Sequence, residues 1–221
     1  MLGYISSIYT GSCVDGAGIR CVVFLSGCNL RCPFCHNPET LFEKGTEYSV
    51  VELNGKLLKY LPYLKNGGVT LSGGEPFLQA EFCIELIKSL KKYPVDIAIE
   101  TNAHILNRQL ISLADTLIID IKNYNKVESA KISAFLNYCQ KEKKRVKITN
   151  VIIAGINDSL KKLKALKNLL KPYNITQVEF LPFKKLCVSK YENLNRPFSY
   201  LDIPETTEEY LKEITKIYNQ N

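Results

Sequence analysis

Apolar positions switch period repeatedly along this chain. Short β-rich apolar runs at residues 19–26, 69–71, 95–101, 116–122, 145–153 and 176–183 read as strands. Between them, residues 49–65, 80–92, 107–114, 128–143 and 158–170 carry apolar side chains at helical spacing, with Asp158 as the expected N-cap of the last. A further helix is expected over 205–218. Six strands, each followed directly or after a loop by a helix, assemble a parallel sheet with helices outside. The expected fold is α/β, an open partial (β/α)6 barrel formed by one domain spanning 1–221.

Strands buried on both faces are nearly all apolar, as 117–119 and 151–153 are, so polar residues at strand ends require another cause. In parallel barrels the C-terminal ends of the strands build the site. Here those ends carry Ser72-Gly-Gly-Glu75, Glu100-Thr-Asn102 and Asp120-Ile-Lys122. The loop 28–36 follows the first strand and opens on the same face.

Composition adds exclusions. With 221 residues, 46% hydrophobic and 23% charged, the chain is of ordinary globular type and buries roughly 70% of its unfolded surface. No apolar run approaches the roughly 18 residues of a membrane span, and the N-terminus lacks a secretory pattern, so a cytoplasmic protein with no membrane partner is expected. The net charge of +7 favours an acidic partner, but much of the excess falls on two helical faces, 141–147 and 161–171, and no nucleic-acid partner is expected.

Eight cysteines in such a chain argue for metal or redox chemistry over structural disulfides. Cys13, Cys21, Cys83, Cys139 and Cys187 are scattered and read as small core residues. Cys28, Cys32 and Cys35 cluster, and three thiolates at this spacing suit three irons of a cluster, leaving one coordination position open. A zinc ion closed by His36, or a redox dithiol at Cys32 and Cys35, are the alternatives for the triplet alone.

The triplet has company. Asp15-Gly-Ala-Gly-Ile-Arg20, Gly27-Cys-Asn-Leu-Arg-Cys-Pro-Phe-Cys-His-Asn-Pro38, Ser72-Gly-Gly-Glu-Pro76, Leu78-Gln-Ala-Glu-Phe82, Glu100-Thr-Asn102 and Asp120-Ile-Lys122 occur in that order. Together, from about Ile5 to Tyr191, they resemble the glycyl-radical-enzyme activases of the radical S-adenosylmethionine superfamily. The resemblance implies one four-iron four-sulfur cluster on Cys28, Cys32 and Cys35, whose open iron is chelated by S-adenosyl-L-methionine. It also implies an oxidoreductase of anaerobic metabolism. Reductive cleavage of the cofactor would yield a 5′-deoxyadenosyl radical, which removes a hydrogen atom from a glycine of a partner glycyl-radical enzyme such as pyruvate formate-lyase. A flavodoxin or ferredoxin would supply the electron.

The same resemblance distributes roles. Gly73 and Gly74 allow close backbone approach to the methionine moiety, and Glu75 offers a carboxylate to its ammonium group. Lys122 is expected to pair the cofactor carboxylate, and Asp120, two residues earlier on one strand face, to hold a cation or a ribose hydroxyl. Phe34 and His36 flank the last cysteine, where the family places an aromatic residue near adenine and a histidine beside the cluster. Glu100, Thr101, Ile118 and Asp120 match a monovalent cation site. Two cofactor positions depart from the family: Thr149 stands where an arginine is usual, and Lys184 where a histidine is usual. The segment from 36 to 72 holds no cysteine, so no second cluster is expected. The alternatives are a radical enzyme acting directly on a small molecule, peptide or RNA, and a zinc-stabilised binding module, which leaves Gly73, Gly74, Glu75, Asp120 and Lys122 unexplained.

Overall fold

The computed structural model describes residues 1–64, 66–122 and 125–220. The chain opens with β1 (Leu2–Ser12), β2 (Arg20–Leu25), α1 (Glu39–Phe42), β3 (Thr46–Ser49), α2 (Val50–Leu58), β4 (Gly68–Gly73), α3 (Ala80–Leu90) and β5 (Asp96–Thr101). It continues through α4 (Arg108–Leu113), β6 (Thr116–Asp120), α5 (Lys126–Lys141), β7 (Arg145–Ile152), α6 (Leu160–Leu170), β8 (Gln177–Pro182), α7 (Val188–Asn193) and α8 (Glu208–Gln220). One sheet carries the strands in the order β3-β1-β2-β4-β5-β6-β7-β8, open between its β3 and β8 edges. From β2 to β8 all neighbours are parallel, which is the expected six-unit partial barrel.

Two strands beyond the expected six extend the β2 edge. β1 lies antiparallel to β2 and β3 antiparallel to β1. Register shifts between Ile5 and Ser7 and between Thr10 and Ser12 break the two-residue period of β1, which is why alternation along the sequence does not announce it. Helix boundaries also move. Ser49 and Glu52 form a reciprocal capping box at the start of α2, and the helix stops at Leu58, before a 3₁₀ turn over Leu61–Tyr63. Pro62 in that turn has no N–H to continue an α-helix. The expected helix end at Lys65 lies outside the described residues. The cap of α6 is Ser159, not Asp158. Asp158 Oδ2 instead accepts from the Gly155 N–H at 2.8 Å and the Tyr210 hydroxyl at 2.6 Å, tying the preceding turn to α8.

The alternation of side chains divides the sheet into two unlike faces. Leu71, Ile99, Leu117, Ile119 and Ile148 face outward into one continuous core with Leu57, Leu86, Leu90, Phe135 and Leu166 of the helices. Each such fully buried aliphatic contributes roughly 1.5–3 kcal/mol. A smaller cluster, Ile153, Phe183, Cys187, Tyr191 and Phe198, sits beyond β7 and β8, with Phe34 packed against it. Cys21, Cys83, Cys139 and Cys187 are buried as expected, whereas Cys13 is exposed on the loop after β1. Arg20 is 1% exposed and fastens the 15–19 loop to the sheet, donating to Thr70 Oγ1, Ala17 O and Val69 O and pairing with Asp96 at 3.1 Å.

Candidate active site

The inner sheet face is polar near its C-terminal end. Ser72, Glu100 and Asp120 line one cavity there with Cys28, Cys32, Cys35, Gly73, Gly74 and Lys122. The Ser72 hydroxyl donates to Glu100 Oε2 at 2.5 Å. Burial raises the Glu100 carboxyl, and the neighbouring Asp120 raises it further while Ser72 opposes this. Lys122 pairs with Asp120. Burial works against the Lys122 charge, but the Asp120 carboxylate outweighs it and holds the ammonium above its ordinary value. Across the β6–β7 register Asp120 faces Thr149. Among the described residues, Asp120 Oδ1 and Thr149 Oγ1 are both buried without a hydrogen-bond partner, so this wall presents open acceptors.

The cysteine loop is held at both ends. The Gly27 N–H donates to Thr40 O at 2.7 Å, and the Gly27 carbonyl accepts from the Glu75 N–H at 2.8 Å. At the far end Lys190 Nζ donates to His36 O, Asn37 Oδ1 and Glu39 Oε1 at 2.8–3.0 Å. Nothing in the spacing of the sequence marks Lys190 for this task, since the contact joins residues 151 to 154 positions apart. Burial pushes all three thiols up, Cys32 to about 11, and the Lys122 ammonium pulls Cys32 and Cys35 back toward the thiolate. Among the described residues no three His, Cys, Asp or Glu side chains gather as a single ion requires. His36 directs Nε2 at the Lys184 carbonyl, 2.8 Å away.

Phe34 stacks on Tyr200 with centroids 6.1 Å apart, and Lys122 Nζ lies 5.5 Å from its ring centre. Phe34 and Lys122, with Leu30 and Cys32, also line a second, larger cavity that continues to Arg31, His104, Glu128 and Lys162. Lys184 does not line the first cavity; its Nζ is 3.5 Å from Glu205.

Glu75 is fully buried and faces away from the cavity. Oε1 accepts from Thr101 Oγ1 at 2.8 Å and the Phe77 N–H at 3.1 Å, and Oε2 from the Asn102 N–H at 2.8 Å. The carboxylate therefore ties the β4 loop to the tip of β5. The glycines before it serve the same closeness: a Cβ on Gly74 would stand 1.9 Å from the Gly27 carbonyl oxygen, and Gly73 has φ +108°. Of the expected cation set, Glu100, Thr101 and Asp120 line the cavity, Thr101 with its Oγ1 donating to Glu75, and Ile118 is a buried strand residue opposite Glu100 in register.

Burial pushes the Glu75 carboxyl up to about 7 from 4.5, against the three hydrogen bonds it accepts. A folded value above the unfolded one means stability that is complete below about pH 4.5 and is lost as pH rises through 7, about 3 kcal/mol in all. Urea midpoints of the cluster-free chain should fall between pH 5 and 8. In Glu75→Gln that fall should flatten, and an unchanged slope would assign the titration elsewhere.

Residues 14–122 match the family of 4Fe-4S single cluster domains. The pyruvate formate-lyase-activating enzyme of Clostridium pasteurianum is 36% identical over 230 residues, covering 98% of this chain and 97% of that protein. The Staphylococcus epidermidis protein of the same name is 33% identical, covering 99% and 96%. Among solved structures, a radical SAM methyltransferase from Sphaerobacter thermophilus superposes with TM-score 0.62 at 15% identity, over 91% of this chain and 64% of that one. A domain of pyruvate-formate lyase-activating enzyme from Bacteroides vulgatus gives 0.52 at 19%, over 70% and 94%. The fold is that of radical S-adenosylmethionine enzymes, and the match to single-cluster iron–sulfur domains spans a range that includes the cysteine loop. Within that class, the chain belongs to the family of pyruvate formate-lyase-activating enzymes.

Proposed function

We propose that this protein is a radical S-adenosylmethionine activase that places a radical on a glycine of a partner glycyl-radical enzyme. The observation that carries this reading is the convergence of three thiols, an open glycine edge and an acid–lysine pair on one cavity at the C-terminal ends of the parallel strands. The donor set fits a four-iron cluster: three soft sulfurs on the cavity wall, with His36 engaged at Lys184. The chemistry supplied by the bound groups is one-electron cleavage of the sulfonium C–S bond, giving methionine and a radical that becomes 5′-deoxyadenosine on taking the partner glycine's hydrogen atom.

The chain's own part is binding and exclusion. Cys28, Cys32 and Cys35 hold three irons. Lys122, kept charged by Asp120, pairs the carboxylate of the cofactor. Gly73 and Gly74 leave the cavity edge open to its methionine backbone, and Phe34 offers an aromatic face toward adenine with His36 bracing the loop behind it. Glu75 positions this edge from behind. Glu100 and Asp120 supply the carboxylates of a monovalent cation site, with Thr101 and Ile118 contributing through the backbone, and the unpartnered Asp120 Oδ1 supports it. Lys184, paired with Glu205, braces the rim near His36. An acidic flavodoxin or ferredoxin is the proposed electron donor, supported by Arg31, Lys161 and Lys162 around the adjoining cavity and by the +7 charge. Eight free cysteines suit a reducing cytoplasm, and among the described residues no helix is long and apolar enough to cross a membrane.

Anaerobic reconstitution with iron and sulfide tests the reading. About four irons per chain are expected for one such cluster. Reductant and S-adenosylmethionine should then give 5′-deoxyadenosine, and a glycyl-radical signal should appear on co-expressed pyruvate formate-lyase. Replacing potassium by tetramethylammonium should slow cleavage, and reduced flavodoxin should replace dithionite. Stoichiometric zinc without cleavage would sink the proposal.

A further inference from the structure

Three parts of the site meet at Asn102, which is 6% exposed at the tip of β5. Its backbone N–H donates to Glu75 Oε2 at 2.8 Å, and its Oδ1 accepts from the His104 N–H at 3.1 Å. The second contact orients the carboxamide. Reversing it would set the NH₂ group against the His104 N–H, donor to donor, so the nitrogen must face the other way. On that side Nδ2 donates to Asn29 Oδ1 at 2.8 Å and lies 4.0 Å from Cys28 Sγ. The sulfur also receives the Leu30 N–H at 3.4 Å. Cys28 is thus approached by one N–H from its own loop and by one from a strand tip 74 residues away.

We propose that Asn102 is a positioning residue for the iron–sulfur cluster: its carboxamide clamps the Cys28 loop to the tip of β5 and aims an N–H dipole at the Cys28 sulfur, favouring the reduced cluster. The proposal rests on the cluster assignment above. Reduction adds negative charge to the irons and their sulfurs, and a fixed donor aimed at that charge lowers its energy, so hydrogen bonds to the sulfurs raise the potential. Asn102 is suited to this because it cannot turn away. Glu75, fully buried and bonded through both oxygens, holds its backbone, and Asn29 holds its side chain.

The test is a reductive titration of reconstituted protein without S-adenosylmethionine, followed by electron paramagnetic resonance of the reduced cluster. Asn102→Ala should hold its irons and show a more negative midpoint potential with a changed spectrum. Asn102→Asp, which sets an anion beside Asn29 Oδ1 and the Cys28 sulfur, should move further in the same direction. Asn102→Ser, whose hydroxyl can still accept the His104 N–H, keeps the turn and loses the carboxamide N–H, so it should fold and give a negative shift as well. Wild-type potentials in iron-loaded Asn102 variants would overturn the proposal. If Asn102→Ala and Asn102→Asp do not fold, an unchanged potential in iron-loaded Asn102→Ser overturns it instead. A wild-type chain that takes up no iron would remove the cluster reading itself, a result distinct from four irons with an unmoved potential.

Discussion

Changing any one of Cys28, Cys32 or Cys35 to alanine is expected to abolish reductive cleavage of S-adenosylmethionine and to strip iron from the chain. Each thiol is the sole protein ligand proposed for one iron, and no other cysteine lines the cavity. His36 is turned to the Lys184 carbonyl and Glu75 is buried behind the glycine edge, so neither side chain stands ready to replace a lost sulfur. The apo fold should survive these changes, because the loop carries no strand or helix and is fastened mainly through Gly27, Asn29 and Lys190. Cys139→Ala is the control. Cys139 is fully buried in the outer core, and its loss should cost about 1 kcal/mol of stability with iron content and cleavage unchanged. Circular dichroism, iron and sulfide content, and 5′-deoxyadenosine yield measured together separate the cases. Full yield from Cys32→Ala would refute the site.

A comparable loss is expected from a single methyl group at Gly74. Its Cβ would meet the Gly27 carbonyl oxygen at 1.9 Å and the Gly27 carbonyl carbon at 2.6 Å, distances that backbone atoms cannot absorb without moving. That carbonyl also accepts the Glu75 N–H, so Gly74→Ala forces apart the cysteine loop and the β4 loop where they are joined. Overpacking of this kind typically costs about 1–3 kcal/mol. The functional loss should be larger, at least about 100-fold in cleavage rate, since a displacement near 1 Å in a positioned site has that effect. Gly55→Ala provides the contrast: nothing lies within 4 Å of the added atom, and the position is inside α2. That variant should be about 0.5–1 kcal/mol more stable with unaltered cleavage. Equal behaviour of the two variants in urea denaturation and cleavage assays would contradict the close-contact role of Gly74.

Much of this architecture is legible from local pattern. The six parallel strands follow from short apolar runs alternating with helical spacing, and the polar breaks at Ser72, Glu100 and Asp120 point to the strand ends that carry the cavity. β1 and β3 are not legible that way. β1 has two register shifts, and β3 has four partly or fully exposed residues at a sheet edge, so neither shows a clean two-residue period. Asp158 resembles a helix cap, yet a distant hydroxyl, that of Tyr210, draws it away and leaves the cap to Ser159. Glu75 carries a similar lesson. Its place in Gly-Gly-Glu-Pro suggests a carboxylate facing a ligand, whereas three donors from 77, 101 and 102 turn it inward.

The fold class, the three cysteines and the glycine, acid and lysine positions near them can be read along the chain, because periodicity and ligand spacing are local properties. The directions of side chains and the braces between loops emerge once the strands are assembled in space. Asn102 beside Cys28, Lys190 across the cysteine loop and Glu75 behind its glycines each join residues 25 or more positions apart. Such contacts depend on which strand ends the sheet brings together and on which buried polar groups compete for the same few donors, and no short window of sequence contains both partners.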